Sequence, residues 1–542
     1  MMRSAFLARL VLGLASAWLA AAWLPAAAAT GLSPALLAPL AGDDTGARLD
    51  AIAGLGAAPE PQAVMVLEAL GSDRLYAAPD GSLWVDTGAG TVDAATGQAG
   101  VLPPQAGAVS VNNRLRRAIA AALATARLHA PDPAQRLAAA QRLQRGTEPA
   151  ALPMLEKALA GEPDAQVRAA LQIAVATLQL QSDAAAVRRQ AAETLGHSGN
   201  AAFRPMLAAL LQQDAQGRHA EPDAEVRAAA GTALHRIERH LSMVEWVGNL
   251  FYGISLGSVL LLAALGLAIT FGLMGVINMA HGELLMIGAY VTYAVQALFR
   301  SWFPQWMDAY VIAALPVAFV ATALVGMALE RTVIRWLYGR PLETLLATWG
   351  ISLMLMQAVR TLFGAQNVEV SNPSWMSGGL TVMGSLVLSY NRIAIIVFAV
   401  LVVAFVWLLL NHTRLGLFVR AITQNRRMAD CVGVPTGRVD MLAFGLGSGI
   451  AGLAGVALSQ LGNVGPDLGR AYIVDSFMVV VLGGVGQLAG TVVAALGLGA
   501  INKFLEPYSG AVMAKITILA LIVLFVQKRP QGLFAPRGRS AE

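Results

Sequence analysis

From Val247 to Val526 the chain is a succession of long apolar runs divided by short polar or glycine-rich stretches. A soluble core cannot absorb so many runs of this length, whereas a bilayer requires about 20 apolar residues per crossing helix. The runs lie near 248–273, 283–299, 309–329, 344–364, 392–411, 438–462, 472–501 and 511–527. The seventh is too long for one plain span and is interrupted by "LGGVGQLAG" (482–490), which suggests two half-spans or a re-entrant pair. The expected fold is an all-α polytopic membrane protein with about eight spans, some of them broken or re-entrant, in contact with lipid.

Hydrophobic residues make up 56% of the chain and charged residues 13%, against roughly 25% charged in soluble domains. From Met243 onward there are 18 Lys+Arg and 12 Asp+Glu, so the net positive charge sits in the apolar part. No basic run is interleaved with aromatics, which argues against nucleic acid as a partner. The single cysteine, Cys431, rules out an internal disulfide, and the seven histidines show neither HExxH nor paired-ligand spacing. No phosphate-binding loop and no GxSxG is present. The sequence therefore implies no catalytic residue, metal or cofactor, and if ATP is used another chain binds it.

Residues 1–29 carry Arg3 and Arg9, then an apolar stretch, then small residues, the pattern of a secretory signal peptide. Residues 30–242 read as an extracytoplasmic extension. "YAAPDGSLWVD" (76–86) has turn chemistry between short alternating segments and predicts a hairpin. After about Asn112 helical spacing takes over. "EPDAQVRAALQIAVATL" (162–178), "SDAAAVRRQAAETLG" (182–196) and "EPDAEVRAAAGTALHRI" (221–237) each begin with an Asp suited to cap a helix. Their recurrence resembles HEAT-type helical repeats. The membrane domain occupies 243–542.

Reading the loops alternately, one side collects Arg331, Arg335, Arg340, Arg414, Arg420, Arg426, Arg427, Lys528, Arg529, Arg537 and Arg539. The other holds Arg300, Arg392, Arg470 and Lys503. Positive residues accumulate on the cytoplasmic side. The C-terminus is thus expected in the cytoplasm and the extension in the periplasm of a bacterial inner-membrane protein, in agreement with the signal-like start.

Two interruptions of the apolar runs carry polar chemistry. The first is "NMAHGE", with Asn278, His281, Gly282 and Glu283. A carboxylate beside a bilayer is costly and marks a functional candidate. The second contains Gly483, Gly484 and Gln487, and Asp475 lies on the run leading to it. Transporters place broken helices at matching points of two halves, facing the transport path. Close helix packing through small residues is the alternative reading for the glycines. In the loop 411–440, Leu417, Ala421, Ala429 and Val432 fit one face of a helix that Pro435 stops, with Arg420, Gln424 and Arg427 polar.

Taken together, "NMAHGE" (278–283), "ERTVIRWLYGRP" (330–341), "TRLGLFVRAITQNRRMADCVGV" (413–434), "VLGGVGQLAGTVVAALGLG" (481–499) and "RPQGLF" (529–534) resemble the branched-chain amino-acid permease family of ABC importers. The resemblance covers 245–535. It implies partners: separate ABC ATPase subunits, a second related permease and a periplasmic binding protein. It also implies that Arg414, Gly416, Arg420, Asn425, Ala429 and Gly433 belong to a loop that couples to the ATPase. The signal-like start and long extension depart from ordinary members and look like the permeases of urea importers within that family, which implies a urea-binding protein as feeder. Branched-chain amino acids or short amides remain alternative solutes, and a passive urea channel is the alternative of another class.

Overall fold

The structure, a computed structural model, describes residues 32–534 apart from 59, 89, 129, 145–150 and 214; the signal-like segment lies outside the described residues. The chain forms two compact units, Met1–Leu241 and Ser242–Glu542.

The first unit begins with helices α1 (Pro34–Ala41), α2 (Thr45–Ala57) and α3 (Pro61–Gly71). Five short strands follow: β1 (Leu75–Ala77), β2 (Leu83–Asp86), β3 (Thr91–Asp93), β4 (Ala99–Gly100) and β5 (Gly107–Ala108). They form one antiparallel sheet in the order β4-β3-β2-β1-β5. The expected hairpin is its β1–β2 pair, with Gly81 at φ 85° in the turn. The other strands are too short for any alternation to show in the sequence. Leu55, Val66, Leu67, Leu75 and Ile119 anchor the core between sheet and helices.

Helices α4 (Asn113–Arg127), α5 (Pro133–Leu143), α6 (Leu152–Gly161), α7 (Ala165–Gln179), α8 (Ala185–His197) and α9 (Arg204–Leu211) complete the unit with the start of α10 (Ala224–Met274). Asp164 caps α7 through the amides of Gln166 and Val167, and Asp223 caps the start of α10 through Glu225 and Val226. The middle repeat differs from expectation: the N-cap of α8 is Ala184, whose side chain cannot accept, and Asp183 stands one residue early. What recurs more exactly is an arginine one turn into the helix. Arg136 makes a two-pronged ion pair with Glu162 at 2.9 Å, and Arg188 with Glu221 at 2.7 and 2.9 Å. Each glutamate also accepts the amide two residues on, at 3.0 Å. These hydrogen bonds, led by the arginine's, hold both carboxyls below the ordinary glutamate value.

In the second unit, the rest of α10 is followed by α11 (His281–Trp302), α12 (Tyr310–Thr332), α13 (Pro341–Phe363), the hairpin β6 (Gly379–Val382)–β7 (Leu386–Ser389), and α14 (Tyr390–His412). Two short helices come next, α15 (Arg414–Gln424) and α16 (Arg426–Cys431), then α17 (Thr436–Ser459), α18 (Leu468–Gly483) and α19 (Leu488–Lys528). Among the described residues, seven helices are long and apolar enough to cross a membrane: α10–α14, α17 and α19. The count departs from eight because α18, at 16 residues, is a half-span, and because α19 merges two expected spans across a kink at Gly510 (φ 76°). The most apolar stretches of α10 and α17 are 83% buried and those of α14 and α19 only 22% and 17%, so the former pair is the centre and the latter the rim.

The segment between α13 and α14 is folded as well. Asp308 accepts from the amide and hydroxyl of Ser374 at 2.7 and 2.8 Å, and Tyr310 and Gln296 both donate to the carbonyl of Ser371.

Candidate functional site: polar groups at interrupted helices

The site grows from one geometric fact about α11. His281, its first residue, donates from Nε2 to the carbonyl of Ala263 at 2.9 Å, and α10 runs eleven residues beyond Ala263 to Met274. At 1.5 Å per residue, α11 therefore begins about 16 Å back from the end of α10. Residues 275–280 re-enter the apolar layer, with Gly275 at φ 65° making the reversal. Backbone that is not helical at such depth needs partners from the protein. Asn278 accepts the Ala280 amide at 3.0 Å, and Thr348 of α13 accepts the Met279 amide at 3.1 Å.

A second helix starts at the same place. Gly282 of α11 and Gly469 of α18 touch so closely that a methyl on Gly282 would stand 2.7 Å from the carbonyl oxygen of Gly469. Two helix N-termini, with their positive dipole ends, thus meet inside the layer. Arg470, expected in a loop outside, belongs instead to the first turn of α18.

Into this junction the sequence delivers buried polar side chains that are only half satisfied. Glu283 is 1% exposed; its Oε1 accepts from Ser352 of α13 at 2.9 Å, while Oε2 has no partner. Asn278 Nδ2 and His281 Nδ1 are likewise buried without partners. Tyr290, two turns along α11 from Glu283, is buried with a free hydroxyl. Arg470 and Asp467 are the charged groups whose fields reach Glu283, and Asp467 in turn binds Arg360 at 3.0 Å. Sequence reasoning missed Ser352 and Thr348, although Thr344, Thr348 and Ser352 form a visible i, i+4, i+8 polar stripe along an apolar run.

The second interruption is built differently. Gly484 (φ 98°) and Gly486 (φ 77°) turn the chain between α18 and α19. A methyl on Gly483 would stand 2.6 Å from the carbonyl of Gly490, and one on Gly272 the same distance from Gly486. The carbonyls left open at the end of α18 are closed by the "RPQGLF" segment: Leu533 donates to Leu482 at 2.8 Å and Phe534 to Gly483 at 3.3 Å. The backbone oxygen of Gln487 accepts the amide and hydroxyl of Thr491, both at 3.0 Å. Asp475, grouped with Glu283 as a candidate, is instead paired with Lys515 of α19 at 2.9 Å.

The loop 411–440 also departs from expectation. Asn425 (φ −154°) breaks it into α15 and α16 and caps the second through the Met428 amide. The apolar positions consequently do not share a face. Ala429, 4% exposed, packs with Ile422, Val439 and Ala443, whereas Leu417, Met428 and Val432 are 56–73% exposed. Arg420 points back to α14, donating to the Leu410 carbonyl at 2.7 Å. Gly416 packs against that same carbonyl, and the Thr413 side chain accepts the Gly416 amide. Arg414, Cys431 and Gly433 (φ 86°) are exposed.

An apolar helical unit with buried, half-satisfied polar groups where helices are interrupted has the build of a membrane transport protein. Residues 249–526 match the family model described as branched-chain amino acid transport system, permease component, and the chain belongs to that family. It is a multi-pass permease component of a binding-protein-dependent ABC importer, with no catalytic role of its own. Among its relatives is the high-affinity branched-chain amino acid transport system permease protein BraD of Pseudomonas aeruginosa, 29% identical over 53% of this chain and 95% of the relative. The corresponding protein LivH of Salmonella typhimurium is 28% identical over 53% and 94%. The ribose import permease protein RbsC of Escherichia coli is 31% identical over 22% and 40%. No solved structure matches the chain.

Proposed function

We propose that this permease passes urea into the cell, with Asn278, His281 and Glu283 contributing to its path and the exposed face of α15–α16 docking the ATPase. The observation that supports the path is the set of unpartnered atoms at the meeting of α11 and α18: a carboxylate oxygen, an amide nitrogen and a ring nitrogen, all buried. A buried polar atom without a partner costs roughly 1–3 kcal/mol. A solute with both donors and acceptors removes that cost while it passes. Urea needs no fixed charge, only such hydrogen-bonding groups, and a long extension ahead of the membrane unit is what the resemblance to urea permeases implies.

The rival solute is a branched-chain amino acid. The named functions of BraD and LivH favour it, and so does Arg470 near Glu283, which together offer both signs of charge to a zwitterion. A passive channel is disfavoured because it has no use for an exposed apolar and basic helix pair such as Leu417, Arg427 and Met428.

The docking reading shifts with the structure. Ala429 faces inward and the exposed Arg420 is tied back to the Leu410 carbonyl, so the surface offered to a partner is led by Leu417, Arg427, Met428 and Val432, beside the exposed Cys431. The expected orientation, with the extension periplasmic and this loop cytoplasmic, goes with it. Reconstitution of the permease with its ATPases, second permease and binding protein tests the solute directly. Labelled urea should accumulate on ATP addition and labelled leucine should not; accumulation of leucine alone would sink the urea reading. Leu417→Glu and Met428→Glu should abolish cross-linking of Cys431 to the ATPase, and undiminished cross-linking would remove the docking role.

A further inference from the structure

A second group of charges, two buried carboxylates and a part-exposed arginine, lies where α10, α12, α16 and α17 come together, away from the path. Asp440, in the first turns of α17, is fully enclosed and pairs with Arg426, the first residue of α16; Nη1 stands 3.3 Å from Oδ1 and Nη2 is bonded to Oδ2. The Arg426 guanidinium also lies over the ring of Tyr338, 4.8 Å from its centre. The Tyr338 hydroxyl donates to Glu330 Oε1 of α12 at 2.9 Å and lies 3.2 Å from the sulfur of Met274, the last residue of α10. Glu330 is 1% exposed, and its Oε2 has no partner.

Stability does not explain this group. With Asp440 enclosed and the Arg426 side chain 41% exposed, the pair adds little net stability, and a carboxylate with one empty oxygen is worse than a satisfied pair. What the group does offer is two acceptors for one arginine. Asp440 holds Arg426 now, and Glu330 is bonded to the hydroxyl of the Tyr338 ring on which the guanidinium rests and keeps one oxygen unpartnered, with Arg331 and Arg335 the other cations whose fields reach it. A packed element with two discrete arrangements is what carries a displacement between sites.

We propose that Arg426 exchanges between Asp440 and Glu330, and that this exchange transmits movement of the docked α15–α16 pair to helices α12 and α17. Tyr338 is the positioning residue: its ring carries the guanidinium and its hydroxyl holds Glu330 in reach. The proposal rests on α15–α16 being the ATPase dock.

The test uses the assembled transporter in liposomes. An environment-sensitive fluorophore is placed at Leu442→Cys, an exposed position of α17, on a Cys431→Ser background. The probe is the β,γ-imido analogue of ATP. Without nucleotide, Asp440→Asn should already show most of the shift that the analogue produces in the parent, because Arg426 has been released towards Glu330. Glu330→Gln should hold the label in the nucleotide-free signal and reduce the analogue's effect to about a fifth. Tyr338→Phe keeps the ring and its packing but loses the hydroxyl that holds Glu330 in reach, so it must move in the Glu330→Gln direction. A purely structural role moves all three variants the same way or not at all, and either outcome overturns the exchange. Cross-linking of native Cys431 to the ATPase in the parent tests the dock separately. If it fails, the docking reading falls and this proposal with it; if it succeeds while the shifts do not separate, only the exchange falls.

Discussion

Buried glutamates occur in both units of this protein, and they are treated in opposite ways. In the first unit Glu162 and Glu221 have every oxygen engaged, by a two-pronged arginine and a backbone amide. In the second, Glu283 and Glu330 each keep one oxygen empty though both are almost fully enclosed. A closed set of hydrogen bonds braces a fold; an open one in a medium without water is expensive and persists only where something else uses it. Removal of a first-unit carboxylate should therefore be felt in stability, and removal of a second-unit one in transport.

The largest effect sharpens the first half of that contrast. Glu221→Ala leaves Arg188 without its partner and should destabilise the first unit by roughly 3 kcal/mol, the low end for a broken buried pair. Hydrogen exchange over α8 and α9 in the intact protein measures this, with uptake per folded molecule unchanged. Exchange as slow as in the parent would place the pair among ornamental surface contacts. Next comes Gly490→Val, whose side chain must enter the carbonyl of Gly483. Overpacking of this kind costs about 1–3 kcal/mol, read as lower membrane abundance and thermal midpoint. Full abundance would show the second interruption to be looser than its backbone contacts indicate.

Glu283→Ala is the reciprocal case. It strands only the Ser352 hydroxyl, a loss of about 1 kcal/mol, yet labelled-urea uptake at equal abundance should collapse. Glu283→Gln keeps an acceptor for Ser352 and should retain more uptake than the alanine variant. Parent-like uptake by Glu283→Ala would break the comparison, since the open carboxylate would then have no use. The smallest effect is acidification. Because the folded forms of Glu162 and Glu221 titrate below the ordinary value of 4.5, the stability they add is fully present above that value. It fades as pH falls through their folded values. Melting of the first unit should decline at the acid end in the parent and decline less in Glu221→Ala.

Much of this was legible beforehand because it rests on period and composition. Apolar runs near span length marked nearly every membrane helix, Asp164 and Asp223 announced their helix starts, and "LGGVGQLAG" marked the break between α18 and α19. Glu283 stood out because a charge within an apolar run is conspicuous. The misses share one cause. Ser352 and Thr348 are polar but small; their stripe with Thr344 shows in the sequence, but their partners appear only when α13 lies against the re-entrant segment. Ala429 and Val432 fit one helical face on a wheel, but Asn425 turns the chain between α15 and α16 and separates them. Strands β3–β5 have two or three residues each, too few for a pattern.

By itself, the sequence determined that this chain enters a membrane, where most of its apolar helices lie, and which family it joins, since apolar runs and caps are decided by residues near one another in the chain. The tertiary structure alone decided that α11 and α18 meet end to end through Gly282 and Gly469, that Asp475 is taken by Lys515, and that one oxygen each of Glu283 and Glu330 stays open. Those outcomes depend on which helices become neighbours. A side chain's hydrogen bonds are settled by groups tens to hundreds of residues away, whose approach leaves no local trace in the sequence.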